Sequence, residues 1–127
     1  MIVGVGVDLV ELSHLATLNT DQLSKRILTP KEIEKIPHEV RRRLEWLAGR
    51  FAAKEAIAKA IGCGIGSQLS FQDITIAYKE GGQPGVELST SGKNRLGLQQ
   101  VHFHLSITHT KKTAAAFVVM ESGKKSD

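Results

Sequence analysis

The stretch Leu47-Ala-Gly-Arg-Phe-Ala-Ala-Lys-Glu-Ala-Ile-Ala-Lys-Ala-Ile61 predicts a helix that is apolar around most of its circumference and still carries four charges. These charges belong to Arg50, Lys54, Glu55 and Lys59. At about 100° per residue, bulky apolar side chains flank Arg50 and Lys54, so no ordinary solvated face remains. An ionised group in such a helix is strongly destabilising unless it is paired or bound to an ion or ligand. The pattern therefore predicts a site around Glu55 and its neighbouring cations.

A simpler interpretation of the same helix stays open. Glu55 and Lys59 are four residues apart, and such a pair on a helix surface contributes only about 0.2–0.5 kcal/mol. The helix alone does not decide between a site and a surface ion pair.

Length and composition predict one domain over residues 1–120, followed by a frayed tail at residues 121–127. The 127 residues contain no apolar run near the length of a membrane span, and the N-terminus resembles a strand rather than a signal peptide. The single cysteine, Cys63, has no partner for an internal disulfide or a zinc motif. These features favour a reducing, cytoplasmic location.

The charge balance favours a polyanionic partner. The net charge is +4 and the calculated isoelectric point is near 9.4, with the densest basic cluster at residues 41–43. One alternative function is therefore a small basic nucleic-acid-binding protein that uses Arg41, Arg42 and Arg43. It predicts salt-sensitive binding without magnesium, but the chain lacks interleaved aromatic residues and any zinc-finger, RNP or helix-turn-helix signature.

Periodicity and turn residues divide the chain into alternating elements. They predict a strand over residues 1–10, helices over 13–28, from 30 to about 37, and over 39–61, and a hairpin of 74–78 with 85–88. A helix over 92–100 and strands over 101–108 and 114–120 follow.

The first strand carries an unusual face, because Gly4, Gly6 and Asp8 alternate along it. Glycines within a strand do not match a dinucleotide fingerprint, which needs them after the strand. They let a backbone or a ligand approach Asp8 closely, and such a carboxylate suits a hard divalent cation. Alternatively, Asp8 caps a turn and Glu11 opens the next helix.

Two further segments are candidates for binding anionic oxygens. The glycine-rich loop at residues 62–66 predicts either a phosphate-binding nest or a plain helix C-cap. Ser106 and His109 lie near the end of a strand, on opposite faces if the strand continues through His109. This spacing argues against a serine nucleophile and favours the binding of anionic groups.

Taken together, these segments resemble a known family. The motifs are Gly4-Val-Gly-Val-Asp8-Leu-Val-Glu11, Gly49-Arg-Phe-Ala-Ala-Lys-Glu-Ala56 with Lys59, and Ser106-Ile-Thr-His109-Thr110. They closely resemble the holo-acyl-carrier-protein synthases, the small 4′-phosphopantetheinyl transferases. The similarity extends to residues 64–66 and 69–74, and so covers nearly the whole chain.

The resemblance implies a reaction and its residues. The family transfers 4′-phosphopantetheine from coenzyme A to a serine of an apo-acyl carrier protein, with Mg²⁺ at the pyrophosphate, and releases adenosine 3′,5′-bisphosphate. By this resemblance the catalytic residues are Asp8, Glu55 and Lys59, of which Asp8 and Glu55 bind the magnesium ion. The implied coenzyme A contacts are Arg50, Lys59, Gly64, Pro84, Ser106 and His109.

The resemblance also implies an α+β fold, with an antiparallel sheet packed on a long helix. It implies a homotrimer whose active sites lie at subunit interfaces, and no nucleic acid or membrane partner. The family's first helix is rich in arginine for gripping the carrier, whereas this chain offers His14 there. A catalytically silent, carrier-binding homologue is a further alternative, against which the intact Asp8, Glu55 and Lys59 set argues.

Overall fold

A computed structural model of the protein describes residues 1–123. The elements follow one another as β1 (Ile2–Glu11), α1 (Leu12–Ala16), α2 (Thr20–Ile27), α3 (Pro30–Ile33), α4 (Val40–Ile61), a 3₁₀ turn (Phe71–Asp73), β2 (Ile74–Tyr78), β3 (Pro84–Leu88), α5 (Thr90–Leu96), β4 (Val101–His109) and β5 (Thr113–Ser122). Within residues 1–123, no helix has the length and apolar character needed to cross a bilayer.

The long helix α4 packs on an antiparallel sheet of three strands in the order β1-β5-β4. Strands β2 and β3 form a separate antiparallel hairpin. The predicted α+β fold, with an antiparallel sheet on a long helix, is confirmed. The core lies between α4 and the inner face of the sheet, where many small side chains of α4 are completely buried.

The bare face of β1 allows the helix to approach the sheet very closely. A Cβ atom added at Gly6 would lie 1.9 Å from the carbonyl oxygen of Ala56, and one added at Gly4 would lie 2.1 Å from that of Ala60. No side chain fits at either position. The glycines of β1 therefore admit the backbone of α4, which brings Asp8, two residues further along β1, next to this helix.

Both ends of α4 are capped, and the cap at its C-terminal end is the one that the sequence predicts. The Glu39 carboxylate accepts hydrogen bonds from the backbone amides of Arg41 and Arg42, at 3.1 and 2.8 Å. At the other end Gly62 adopts a left-handed conformation with φ 92°, which favours glycine. Three consecutive amides, those of residues 62, 63 and 64, converge on the Ala58 carbonyl oxygen. The loop therefore serves as the predicted helix C-cap.

The structure corrects the predicted helix over residues 13–28, which is two helices. The Thr17 hydroxyl donates to the His14 carbonyl oxygen at 2.6 Å, and the Asn19 side chain accepts from the Gln22 amide at 3.2 Å. Local side-chain hydrogen bonds of this kind compete with a continuous helix and start a new one. The helix that begins at Pro30 is also shorter than predicted and ends at Ile33.

The structure also corrects the start of the predicted tail. Glu121 pairs with Ile2 of β1 on one side and with His102 of β4 on the other, and Ser122 pairs with Val101. These two residues extend β5, the central strand of the sheet, because both neighbouring strands are long enough to pair with them. Residues 124–127 of the predicted tail lie outside the described part of the chain.

Candidate active site

Asp8 and Lys59 meet where β1 passes over α4. Lys59 Nζ donates to Asp8 Oδ1 at 3.0 Å and to the Val7 carbonyl oxygen at 3.1 Å. The carboxylate of Asp8 is largely covered, while more than half of the Lys59 side chain is exposed. The strand and the helix thus bring together two of the three predicted catalytic residues.

Glu55 completes this group at the same rim. Burial and the neighbouring Asp8 carboxylate raise the pKa of Glu55, whereas Lys59 and Arg26 act to lower it. Among residues 1–123, Glu55 has no cation within ion-pair distance, and Lys59 pairs with Asp8 instead. The simple Glu55–Lys59 surface pair is therefore not formed. The carboxylates of Asp8 and Glu55 and the ammonium group of Lys59 therefore lie together where β1 crosses α4.

An apolar groove opens beside these carboxylates. It has a volume of about 370 Å³ and is lined by Asp8 and Glu55 together with Leu9, Leu15, Leu18 and Phe51. His14 also lines it, from the exposed side of α1. The groove therefore begins at the carboxylates of Asp8 and Glu55 and continues over apolar side chains.

A second charged group lies inside the protein. Lys54 is completely buried, and its ammonium group donates to Glu32 Oε1 at 2.6 Å, to the Ile27 carbonyl oxygen at 2.6 Å and to that of Phe71 at 3.2 Å. Burial lowers the pKa of Lys54, and Glu32 opposes this effect. All three ammonium donors are satisfied, so Lys54 links α4 to three other segments rather than facing a ligand.

Glu32 is equally well satisfied. Its carboxylate accepts from the backbone amides of Thr29 at 2.9 Å and Ile76 at 3.0 Å, as well as from Lys54. In the sequence, Glu32 is simply an acidic residue in the first turn of the helix predicted to begin at Pro30. The Thr29-Pro-Lys-Glu32 capping pattern was visible, but its connection to Lys54 was not, because the partners are 22 residues apart.

Arg50 lies between this buried group and a second cavity. Its guanidinium Nε is 3.4 Å from Glu32 Oε2, and its Cζ lies 3.6 Å from the centre of the Trp46 ring. Only 4% of Arg50 is exposed, and burial is the largest influence on its pKa, which it lowers. The cavity it lines has a volume of about 190 Å³ and includes His109. Its other lining residues include Arg42, Glu45, Gly49, Tyr78 and Ile107.

The remaining predicted residues are dispersed. Ser106 lies on the exposed outer face of β4 opposite Phe117, whereas His109 lines the cavity on the inner side. The predicted placement of these two residues on opposite faces of the strand is confirmed. Gly64 is exposed at the end of α4, and Pro84 begins β3. One subunit therefore does not gather all the predicted coenzyme A residues in one place.

Comparison with known proteins identifies the family. Residues 4–118 match the model of the 4′-phosphopantetheinyl transferase superfamily. The chain is 46% identical to the holo-[acyl-carrier-protein] synthase of Bacillus subtilis strain 168, over 95% of this chain and 97% of that protein. The chain belongs to the holo-acyl-carrier-protein synthase family of 4′-phosphopantetheinyl transferases. The resemblance found in the sequence motifs is thereby confirmed.

Solved structures of the family share this fold. A holo-(acyl-carrier-protein) synthase from Bacillus anthracis strain Ames, in complex with CoA (3′,5′-ADP), matches with a TM-score of 0.84 and 41% identity. The match covers 97% of this chain and 99% of that one. The family enzyme from Neisseria meningitidis matches with a TM-score of 0.86 and 37% identity, over 96% and 100% of the two chains.

Family membership favours the transferase function over the nucleic-acid alternative, and much of the basic cluster at residues 41–43 is occupied by contacts within the chain. Arg41 donates to Glu45 and to the Lys111 carbonyl oxygen, and Arg43 donates to the carbonyl oxygens of Pro37 and His38. Two of the three arginines are therefore engaged within the chain.

Proposed function

We propose that this protein transfers the 4′-phosphopantetheine group of coenzyme A to a serine of an apo-acyl carrier protein. The serine oxygen forms a bond to the β-phosphorus, the bond from this phosphorus to the bridging oxygen breaks, and adenosine 3′,5′-bisphosphate leaves. The hydroxyl proton of the serine is released to water. The observation that carries the proposal is the convergence of Asp8, Glu55 and Lys59 beside an open groove.

The donor set at this rim suits magnesium. Mg²⁺ is usually held by one or two carboxylates together with substrate phosphates and water. Asp8 and Glu55 supply two carboxylates, and burial together with the like charge of Asp8 raises the pKa of Glu55. A cation between the two carboxylates would relieve their repulsion. Among residues 1–123, no group of three or more potential metal ligands occurs. When bound there, the ion would offset charge on the leaving oxygen.

The chain's own residues orient the reacting groups. Lys59 has three ammonium donors, two of which contact Asp8 and Val7, so one remains for a pyrophosphate oxygen. The groove that begins at Asp8 and Glu55 accommodates the pantetheine arm on its apolar floor. The carrier serine must reach the same rim, so the carrier docks on the side of α1, near His14.

The cavity around Arg50 and His109 suits a second phosphate. Coenzyme A has a pyrophosphate and a separate phosphate on its ribose. Arg42, Arg50 and His109 offer cationic or hydrogen-bonding groups in one small cavity. Arg50 and Glu55 are five residues apart on α4, about 140° around the helix. Because the two sites lie on different sides of α4, we infer that one coenzyme A molecule that contacts both kinds of site spans two subunits.

An uncovered apolar surface supports the homotrimer. The outer face of the sheet exposes Val5, Val7 and Leu9 of β1 beside Phe117 of β5, and Val7 and Phe117 are 60% and 50% exposed. A contiguous patch of this kind on one sheet face marks an interaction surface. The apolar side of α4, by contrast, is buried within the subunit. The trimer is therefore proposed to form through the sheet.

Mass spectrometry tests the proposed transfer directly. Incubation of the protein with coenzyme A, magnesium and an apo-acyl carrier protein should add one phosphopantetheine to the carrier. An unmodified carrier at every magnesium concentration would contradict the proposed function.

Sedimentation equilibrium at micromolar protein tests the assembly, and a 13.8 kDa species alone would contradict the trimer. The cytoplasm, where coenzyme A and carrier proteins meet, is the proposed location.

A further inference from the structure

The arrangement around Arg50 assigns a role to a residue outside the family motifs. The indole ring of Trp46 lies against the guanidinium group, with Arg50 Cζ 3.6 Å from the ring centre. Tyr78 is more distant, with its ring centre 5.5 Å from Cζ. Trp46, Arg50 and Tyr78 line both the His109 cavity and a neighbouring cavity of about 350 Å³ that also reaches Glu32. The stacked pair therefore forms a wall between the two cavities.

The polar contacts of Arg50 do not by themselves fix the plane of its guanidinium. Nε is 3.4 Å from Glu32 Oε2, and among residues 1–123 it makes no hydrogen bond. The one hydrogen bond found there runs from Nη2 to the Ile76 carbonyl oxygen and is also long, at 3.4 Å. Strong charge-assisted hydrogen bonds are closer to about 2.7–2.9 Å. By contrast, the contact with the Trp46 ring is close and covers a face of the group.

We propose that Trp46 is a positioning residue that holds the Arg50 guanidinium in the wall of the His109 cavity and so sets the preference for coenzyme A that carries its ribose phosphate. This inference rests on the proposed function, in which that cavity receives the phosphate. Glu32 restrains the group from the interior and is itself fixed by Lys54 and two backbone amides. Trp46 restrains it from the side of the helix and leaves N–H donors free for an anion.

The test compares coenzyme A with its analogue that lacks the 3′-phosphate. Trp46→Met keeps an apolar side chain of substantial volume but removes the aromatic face. We expect KM for coenzyme A to rise about tenfold, with kcat and the KM for the dephosphorylated analogue changed less than about twofold. Trp46→Phe restores a ring and should recover most of the preference.

Two further variants locate the effect. Phe103→Met removes another half-buried aromatic ring, one that does not line the His109 cavity, and should leave the preference unchanged. Arg50→Met should abolish the preference. Thermal denaturation of each variant separates loss of folded protein from loss of selectivity. If Trp46→Met does not fold, Trp46→Phe is measured in its place. Its preference for coenzyme A over the dephosphorylated analogue should fall by about two- to threefold.

Three results would overturn the inference. Equal losses with both substrates in Trp46→Met would make Trp46 a packing residue. A preference that is lost in Arg50→Met but kept in Trp46→Met would remove Trp46 from the arrangement. A wild-type protein that uses both substrates equally well would refute the phosphate assignment and the positioning role together. The proposed transfer would still stand in that case, because it fails only if the carrier remains unmodified.

Discussion

Helix α4 carries two charged groups whose surroundings are opposite. Lys54 and Arg50 point into the protein and share Glu32, in a group whose side chains are at most 5% exposed. Lys59 and Glu55 lie at the rim with Asp8, where the Lys59 side chain is 54% exposed. In the interior group the Lys54 ammonium is saturated by protein partners, whereas among residues 1–123 the rim group keeps an unpaired carboxylate, that of Glu55, beside an open groove. Lys54 therefore contributes to stability, and the rim group is left for a ligand.

Removal of one lysine from each group should give the largest difference in the free energy of unfolding. Lys54→Met leaves Glu32 with only the more distant Arg50 as counter-charge, and we expect the free energy of unfolding to fall by about 3–5 kcal/mol. The matched variant Lys59→Met removes an exposed ion pair and should change it by about 1 kcal/mol or less. Chemical denaturation measures both. The contrast fails if the two variants lose similar stability.

The transfer rate, unlike the stability, should depend most strongly on the rim group. Glu55→Gln keeps the shape of the side chain but removes a charge that the reaction uses, and we expect the transfer rate to fall about 100-fold or more. Asp8→Asn should behave similarly. The measurement is the rate of carrier modification against magnesium concentration, with thermal stability as the control. Near-normal turnover of Glu55→Gln at an unchanged magnesium half-saturation would make Glu55 a structural residue.

The close contact between β1 and α4 can be tested separately from the charges. In Gly6→Ala the new methyl group would collide with the Ala56 carbonyl oxygen, and we expect a loss of about 1–3 kcal/mol as the strand moves away. Because Asp8 follows on the same strand, transfer activity should fall even in the folded fraction. Gly66→Ala is a control, since no atom lies within 4 Å of its added Cβ and its φ is not positive. Full activity in folded Gly6→Ala would show that the exact spacing is unimportant.

The smallest expected effect concerns the pH dependence of stability without magnesium. The pKa of Glu55 is raised in the folded state, so between its unfolded and folded values the native protein binds more protons than the unfolded chain. The contribution of Glu55 to stability therefore falls as pH rises through this window. Glu55→Gln should match wild type below the ordinary glutamate pKa and become relatively more stable above it. Denaturation in a chelating buffer from pH 3.5 to 7 measures this, and a constant difference would contradict the raised pKa.

Sequence reasoning was most successful where structure depends on neighbours along the chain. The apolar period and the Gly62 stop predicted α4 to within one residue at its start, and alternation of apolar and polar residues predicted β1 and β4. It failed at residues 13–28, where the side chains of Thr17 and Asn19 interrupt the helix. It also assigned Glu121 and Ser122 to a tail, because the length of a central strand depends on its partners.

The part of the candidate site that depends on local sequence motifs was predicted, and the part that depends on distant partners was not. Family motifs identified Asp8, Glu55 and Lys59, and the structure brings them together at one rim. The use of Lys54 was not predicted, because nothing in a helical pattern distinguishes a cation that meets Glu32 inside the protein from one that meets a ligand outside. Trp46 was missed because an aromatic residue at helical spacing usually belongs to the core. Coenzyme A contacts by Gly64, Pro84 and Ser106 remain predictions.

The sequence by itself determined most of the elements, which residues share a face of β1, and the family, because periodicity, caps and motifs are local properties that the chain carries in any context. The tertiary structure alone decided which face of β1 meets α4, leaving Val3, Val5 and Val7 exposed and placing Gly4 and Gly6 against the helix. It also decided which charges of α4 are structural. The physical reason is that the cost of burying a charge depends on its partners, and here these partners come from segments more than fifteen residues away.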